Sequence, residues 1–263
     1  MTWLRVTPAD SPLILAFPHG GTELPVGSFR SEWWARRDAD WHIGSLYDGL
    51  ADATVVATDI SRSVVDVNRD PSGASLYPGQ ATTGLCPTTS FDGDRLYDGA
   101  APDEAEIAGR RASYFDPYHA ALAGEIARLR ARHDRVVVYD CHSIRSRIPR
   151  LFEGDLPELS IGTNGGGSCA PELRDAVASV AGASGRSHVV DGRFRGGWTT
   201  RRHGRPDQGV HAVQMETAMR AYLREPVGVV TPGNWPPEYD ADFAAPLRTT
   251  LAAILATCLE FAR

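Results

Sequence analysis

The sequence predicts an α/β protein, a three-layer sandwich with a mixed, mainly parallel central sheet. Three observations carry the prediction. Short apolar runs of strand length recur along the chain, and helical patterns fall between them. The size of 263 residues, with 42% hydrophobic and 23% charged, allows one substantial core. No internal repeat or low-complexity linker marks a boundary, so residues 1–263 read as a single domain.

The first strand is PLILAFPHG (12–20), which stops at Pro18 because proline has no N–H for the ladder. ATVVATDI (53–60) is the next, and SVVDVNR (63–69) reads as a further strand or its continuation. RVVVYDCHS (135–143) is the strongest strand signal, and SHVVDG (187–192) and GVHAVQMET (209–217) complete the set. Among the helices, DADWHIGSLYDGLADA (38–53) places Trp41, Leu46, Tyr47 and Leu50 on one face, with Asp38 or Asp40 suited to cap its start. The long stretch 102–134 predicts a helix bent or broken at Pro117. Residues 170–184 open a helix with Pro171 in its first turn, and 245–263 close the chain as an amphipathic helix. The Gly-, Pro- and Thr-rich stretch 68–93 is too long for a simple connection and reads as a lid or rim.

Composition excludes some functions. A net charge of −6 offers no electrostatic footprint for nucleic acid or an anionic membrane. No apolar run approaches the ~20 residues that span a bilayer, and the opening residues lack a signal-peptide layout, so a cytoplasmic location is expected. Cys86, Cys141, Cys169 and Cys258 form no CxxC pair and read as reduced, mostly buried thiols.

Chemistry collects just past the strands. In an open α/β sheet, ligands bind beyond the carboxyl ends of the strands. There the chain places His19 after Leu13–Phe17, His142 after Val136–Tyr139, and Glu216 within an apolar run. Two imidazoles with a nearby carboxylate suit an open metal site, where three protein ligands hold the ion and a separate Glu moves the proton. Asp40, His42 and Glu23 are the candidates for the third ligand. Asp140 or a neighbouring carbonyl would fix the His142 tautomer. A second cluster is basic: Arg62, Asn68–Arg69, Arg145, Arg147, and Arg193, Arg195, Arg201, Arg202 with His203. Guanidinium groups are the preferred forks for carboxylates, so these suit a small dicarboxylate. A cysteine amidase built on Cys141 and His142 is disfavoured, since adjacent strand residues face opposite sides.

In order along the chain, FPHGGTELP, DADWHIGSLYD, SRSVVDVNRDP, YHAALAGEIARLR, DCHSIRS, IGTNGGGSC, GRFRGGWTTRRHG and GVHAVQMET resemble the motif series of the N-formylglutamate amidohydrolases, also called deformylases. The resemblance implies a fold like that of the zinc carboxypeptidases and the succinylglutamate and aspartate deacylases, with a mixed sheet of about eight strands. It implies hydrolysis of N-formyl-L-glutamate to formate and L-glutamate, the last step of one branch of histidine degradation, with one Zn²⁺ per chain. It further implies His19 and His142 as metal ligands and Glu216 as general base, while Arg62, Asn68 and Arg69 resemble a carboxylate-binding element. The third ligand departs from the pattern. Carboxypeptidase-like sites have Glu where this chain has Thr22, so Asp40 or His42 is expected, ahead of Glu23. Arg145 or His203 is expected to face the oxyanion, and Arg201 with His203 to contact substrate. A related zinc amidohydrolase acting on another N-acyl or γ-glutamyl acidic amino acid is the nearer alternative. A metal-free binding protein for acidic amino acids is the more distant one.

Overall fold

The computed structural model describes residues 3–263. In chain order the elements are β1 (Leu4–Thr7), β2 (Leu13–Phe17), α1 (Glu32–Arg36), α2 (Ile43–Tyr47), β3 (Thr54–Thr58), α3 (Glu104–Arg110), α4 (Asp116–Arg130), β4 (Val136–Ile144), β5 (Leu159–Gly162), α5 (Pro171–Ala183), β6 (His188–Val190), α6 (Trp198–His203), β7 (Val210–Ala218) and α7 (Ala241–Ala262). Among the described residues, seven strands form one sheet in the order β1-β3-β2-β4-β7-β5-β6. Neighbours from β3 through β7 are parallel, as are β5 and β6. β1 joins β3, and β5 joins β7, in antiparallel fashion. The sheet is therefore mixed and mostly parallel.

The period-2 alternation of the strands divides the core. Leu13, Leu15, Phe17, Val137, Tyr139 and Cys141 face one side, where they pack with Leu173 and Val177 of α5 and Leu247, Leu251 and Ile254 of α7. Ile14, Ala16, Val136 and Val138 face the other side and meet Phe115 together with Tyr118, Leu122 and Leu129 of α4. Each fully buried aliphatic side chain contributes about 1.5–3 kcal/mol by leaving water. All four cysteines are buried and free. By length and composition α7 could cross a membrane, but here its apolar face covers the sheet.

Several expectations are corrected. Residues 63–69 form turns rather than a strand. Val64, Val65 and Val67 anchor that segment in the core while Arg62, Asp66 and Asn68 turn to buried polar partners. The helix expected over 38–53 shrinks to α2, because Asp40 is drawn inward and His42 sits at φ 60°, which no α-helix admits. The 102–134 helix does not break at Pro117. A π-helical turn at Arg111–Phe115 joins α3 to α4, and Pro117 falls in the first turn of α4. β1, β5, α1 and α6 are four to six residues long, too short to show a period in the sequence. The 68–93 segment carries no helix or named strand and contributes one rim of the cleft described next.

Candidate functional site

Three adjacent parallel strands, β2, β4 and β7, deliver the candidate site. His142 lies beside Glu216 in the β4–β7 register, and Asp140 beside Gln214. Alternation puts all four on one face, while Cys141 and Met215 between them enter the core under α7. His19 follows β2 by two residues. Asp40 is fastened to both histidine-bearing segments: its N–H donates to the His19 carbonyl (2.9 Å), and its Oδ2 accepts the Ser143 N–H (3.0 Å). These bonds bring three residues distant in sequence to one point.

At that point His19 Nδ1 lies 3.1 Å from His142 Nδ1. Asp40 Oδ2 lies 3.4 Å from the latter and 3.9 Å from the former. The ligand-type atoms of this buried trio all fall within 4.8 Å of one another. The opposite ring nitrogens are taken: His19 Nε2 meets Asp66 Oδ1 at 2.7 Å, and His142 Nε2 meets Asp140 Oδ2 at 3.0 Å. His19, with its Nε2–H donated to Asp66, turns its Nδ1 lone pair to this point, where His142 Nδ1 and a carboxylate oxygen converge on it. A positive charge at this point, a proton on His142 or a metal ion, holds the three together. Two imidazoles and a carboxylate are the donor set of an open divalent-metal site, so the residues fit one.

The surrounding charges agree. Burial, with help from Arg62, pushes His19 down to about 4. Burial also opposes the charge on His142, but Asp140 and Asp40 outweigh it and hold that group well above the ordinary histidine value. Burial likewise works against an ionised Asp66, yet His19, Arg69 and Arg62 keep its carboxyl well below the usual range. Arg62 donates to Asp66 (2.8 Å) and reaches Asp40 (3.5 Å), so it balances the acids that orient and complete the trio.

A narrow cleft opens onto this centre. Its walls include Arg62, Asn68, Arg69, Tyr77, Phe91, Arg193, Gln214 and Glu216. Glu216 is 6% exposed, and burial, reinforced by Asp40 and Asp140, raises its carboxyl to about 7. Arg69 donates to the Thr83 carbonyl and hydroxyl (3.0 and 3.1 Å), and Arg193 to the carbonyls of Leu151 and Ala81 (2.9 and 2.7 Å). Burial lowers Arg193, and the positive charge of Arg69 lowers it further. Arg193 is held by neutral carbonyls, and Arg69, which bonds to Thr83, also lies 3.7 Å from Asp66; both bring positive charge to the cleft wall for an incoming anion. Asn68 also lines the cleft, but its amide is used internally: Oδ1 accepts the Thr199 N–H (2.7 Å), and Nδ2 donates to Asp140 (3.3 Å) and lies 2.9 Å from His142 Nε2. Sequence reasoning missed Asp66 and Gln214, which lie inside the motifs SRSVVDVNRDP and GVHAVQMET without being singled out, and Tyr77 and Phe91, which come from the 68–93 segment outside any motif.

Other expected residues lie elsewhere. His42 points its Nε2 to the Pro237 carbonyl (3.1 Å), leaving Asp40 as the trio's third member. Glu23 is exposed on a bridge beside Ile60. Arg145 is paired with Asp92 (2.6 Å) and Asp38 (3.4 Å), which withdraws it from the cleft. Arg201 lines an outer cavity behind Tyr77 rather than the cleft.

His203 stacks on His119 at 5.3 Å, and its Nε2–H donates to His119 Nδ1 (3.0 Å) while His119 Nε2–H donates to the Val67 carbonyl (2.7 Å). This pair braces the backbone between Asp66 and Asn68. Burial pushes His119 down to about 4 and His203 to about 3. An unfolded histidine titrates near ~6.5, so the unfolded chain binds more protons between that pH and the folded values. The pair's contribution is complete above pH ~6.5 and is lost on acidification, by up to ~1.36 kcal/mol per pH unit for each ring. The melting temperature is therefore expected to fall between pH 7 and 5, and to fall less in a His119→Gln/His203→Asn variant. An unchanged slope in that variant would remove the pair from the account.

Comparison with known proteins follows the same lines. The family model for N-formylglutamate amidohydrolase matches residues 11–223. N-formylglutamate deformylase from Pseudomonas aeruginosa is 42% identical over 259 residues, covering 96% of this chain and 94% of that protein. The enzyme of the same name from Pseudomonas putida is 40% identical over 257 residues, covering 95% and 93%. The crystal structure of N-formylglutamate amidohydrolase from Ralstonia eutropha JMP134 superposes with a TM-score of 0.78 at 22% identity, covering 100% of this chain and 99% of that one. A matched model over most of the chain, together with relatives alike from end to end, places this chain in the N-formylglutamate amidohydrolase family.

Proposed function

We propose that this protein is a zinc-dependent amidohydrolase that converts N-formyl-L-glutamate to formate and L-glutamate. The observation that carries the reading is the buried His19–Asp40–His142 trio beside Glu216, in a cleft that Arg62, Arg69 and Arg193 also line. Both histidines arise at the carboxyl ends of adjacent parallel strands, which supports a zinc-carboxypeptidase-like arrangement. His19, Asp40 and His142 would hold the ion. A zinc ion there would supply Lewis-acid charge, polarising the formyl carbonyl and lowering the pKa of water from 15.7 toward ~7.

The remaining work falls to the chain's own residues. Glu216, raised to about 7, accepts a proton from the attacking water as its oxygen bonds to the formyl carbon. The same carboxyl returns that proton to the nitrogen as the C–N bond breaks. Arg62, whose charge reaches Glu216, replaces Arg145 as the side chain placed to face the developing oxyanion. Arg69 and Arg193 hold the two carboxylates of the substrate, so alignment comes from the glutamate end. The 68–93 segment supplies Arg69, Tyr77 and Phe91 to that grip.

Elemental analysis and formate release from N-formyl-L-glutamate, before and after chelation and zinc return, test the reading. One zinc per chain with activity lost and restored is expected; a metal-free chain with full activity would overturn it. For the clamp, Arg69→Ala and Arg193→Ala are each expected to lower kcat/KM more than tenfold, ~1.4 kcal/mol, chiefly through KM. A smaller effect in both would exclude these arginines as carboxylate partners.

A further inference from the structure

Gln214 lies two residues before Glu216 on the same face of β7 and is 3% exposed. Its Oε1 accepts the N–H of Gly197 at 2.7 Å. That bond sets the orientation of the amide and leaves Nε2 to donate to Glu216 Oε2 at 3.3 Å. The Gly197 N–H shares a peptide plane with the Gly196 carbonyl. This carbonyl accepts the Tyr77 hydroxyl and Arg201 Nε, both at 2.9 Å. The plane is thus gripped on both edges, by the outer loop on one side and by Gln214 on the other.

The sequence at this point permits little else. Gly196 has φ +112°, in the region that favours glycine. A Cβ on Gly197 would come within 2.3 Å of the Asn68 amide, itself tied to Asp140. Two glycines are required for the peptide to sit between Tyr77 and Gln214.

We propose that Gln214 is a positioning residue that aims the base Glu216, and that the Gly196–Gly197 peptide carries its hold outward to Tyr77 and Arg201. This rests on the assignment of Glu216 as base. Gln214 engages Oε2 and leaves Oε1 to meet the water, so one carboxylate oxygen is an anchor and the other is the working atom. Donation by Tyr77 and Arg201 to the carbonyl polarises the peptide and strengthens the N–H that holds Gln214. Tyr77 belongs to the 68–93 segment, so the seating of that loop is felt at the base.

Two variants and two readouts test the proposal. Gln214→Met keeps the length of the side chain and loses both bonds. Gln214→Glu keeps an acceptor for Gly197 and, when ionised, gives Glu216 no donor. Both are expected to lower kcat by about 10- to 30-fold with KM and L-glutamate affinity near those of the wild type, while the lost or altered partner of the buried Gly197 N–H lowers the melting temperature. Wild-type kcat in Gln214→Glu beside a loss in Gln214→Met would reduce Gln214 to a support for Gly197 and overturn the proposal. Crystallography of the zinc-loaded Gln214→Met protein decides independently of activity. A Glu216 carboxylate that leaves its wild-type orientation supports the proposal, and one that keeps it refutes it. A wild-type chain that fails to deformylate N-formyl-L-glutamate would instead sink the functional reading, while the crystallographic comparison still judges Gln214.

Discussion

Glu216→Gln is expected to fold, bind zinc and bind L-glutamate as the wild type does, yet release formate about 10³-fold more slowly. The substitution keeps the shape of the side chain and its contact with Gln214, and removes only the ability to take a proton. Positioned general acid–base groups contribute ~10²–10⁴ in rate, and a base buried to 6% exposure has no solvent substitute close at hand. The effect should fall on kcat, because the group acts in the chemical step rather than in holding the glutamate end. A loss below about tenfold in single-turnover measurements would show that another group accepts the proton.

The second large effect separates Asp40 from His42, the two that stand ahead of Glu23 among the three residues that the sequence offers as third ligand. Asp40→Ala is expected to weaken zinc affinity by more than ~100-fold and to abolish formate release, since it removes a direct donor and leaves Arg62 short of one partner. Asp40→Asn, which preserves the acceptor for the Ser143 N–H, tests the same point in a protein better able to fold. His42→Asn is the control. Asparagine tolerates the left-handed backbone at φ 60°, so zinc content and kcat should stay within twofold of wild type. Metal titration of the three proteins decides; loss of zinc in the His42 variant with retention in the Asp40 variants would reverse the assignment.

The sequence shows most clearly what is carried by period and by strand ends. β2, β4 and β7 announce themselves as apolar runs, and the polar residues that follow or interrupt them are the ones the fold brings together. The choice between Asp40 and His42 was illegible because it turns on a single left-handed residue. At φ 60° the chain reverses, sending Asp40 to Ser143 and His42 to Pro237. Arg145 and His203 were misplaced for a different reason. Their partners, Asp38 and Asp92 for one and His119 for the other, lie 53 to 107 residues away, and pairing over that distance leaves no local pattern. Arg201 looks like Arg193 in sequence, but the Tyr77 ring stands between the outer cavity and the cleft, within 5.5 Å of both guanidiniums.

The trio joins residues 123 positions apart, and its third member is stapled to a backbone amide 103 positions downstream. No shorter portion of the chain contains the site. A nascent polypeptide carries His19 and Asp40 long before β4 exists, so the complete trio forms only after strand pairing, and a metal ion that binds the trio would act as a seal on finished molecules. A zinc concentration 100 times the dissociation constant then adds ~2.7 kcal/mol to the folded state alone. Chelation should therefore lower the melting temperature along with the activity, and in a metal-poor cell the lifetime of this protein should track its zinc supply.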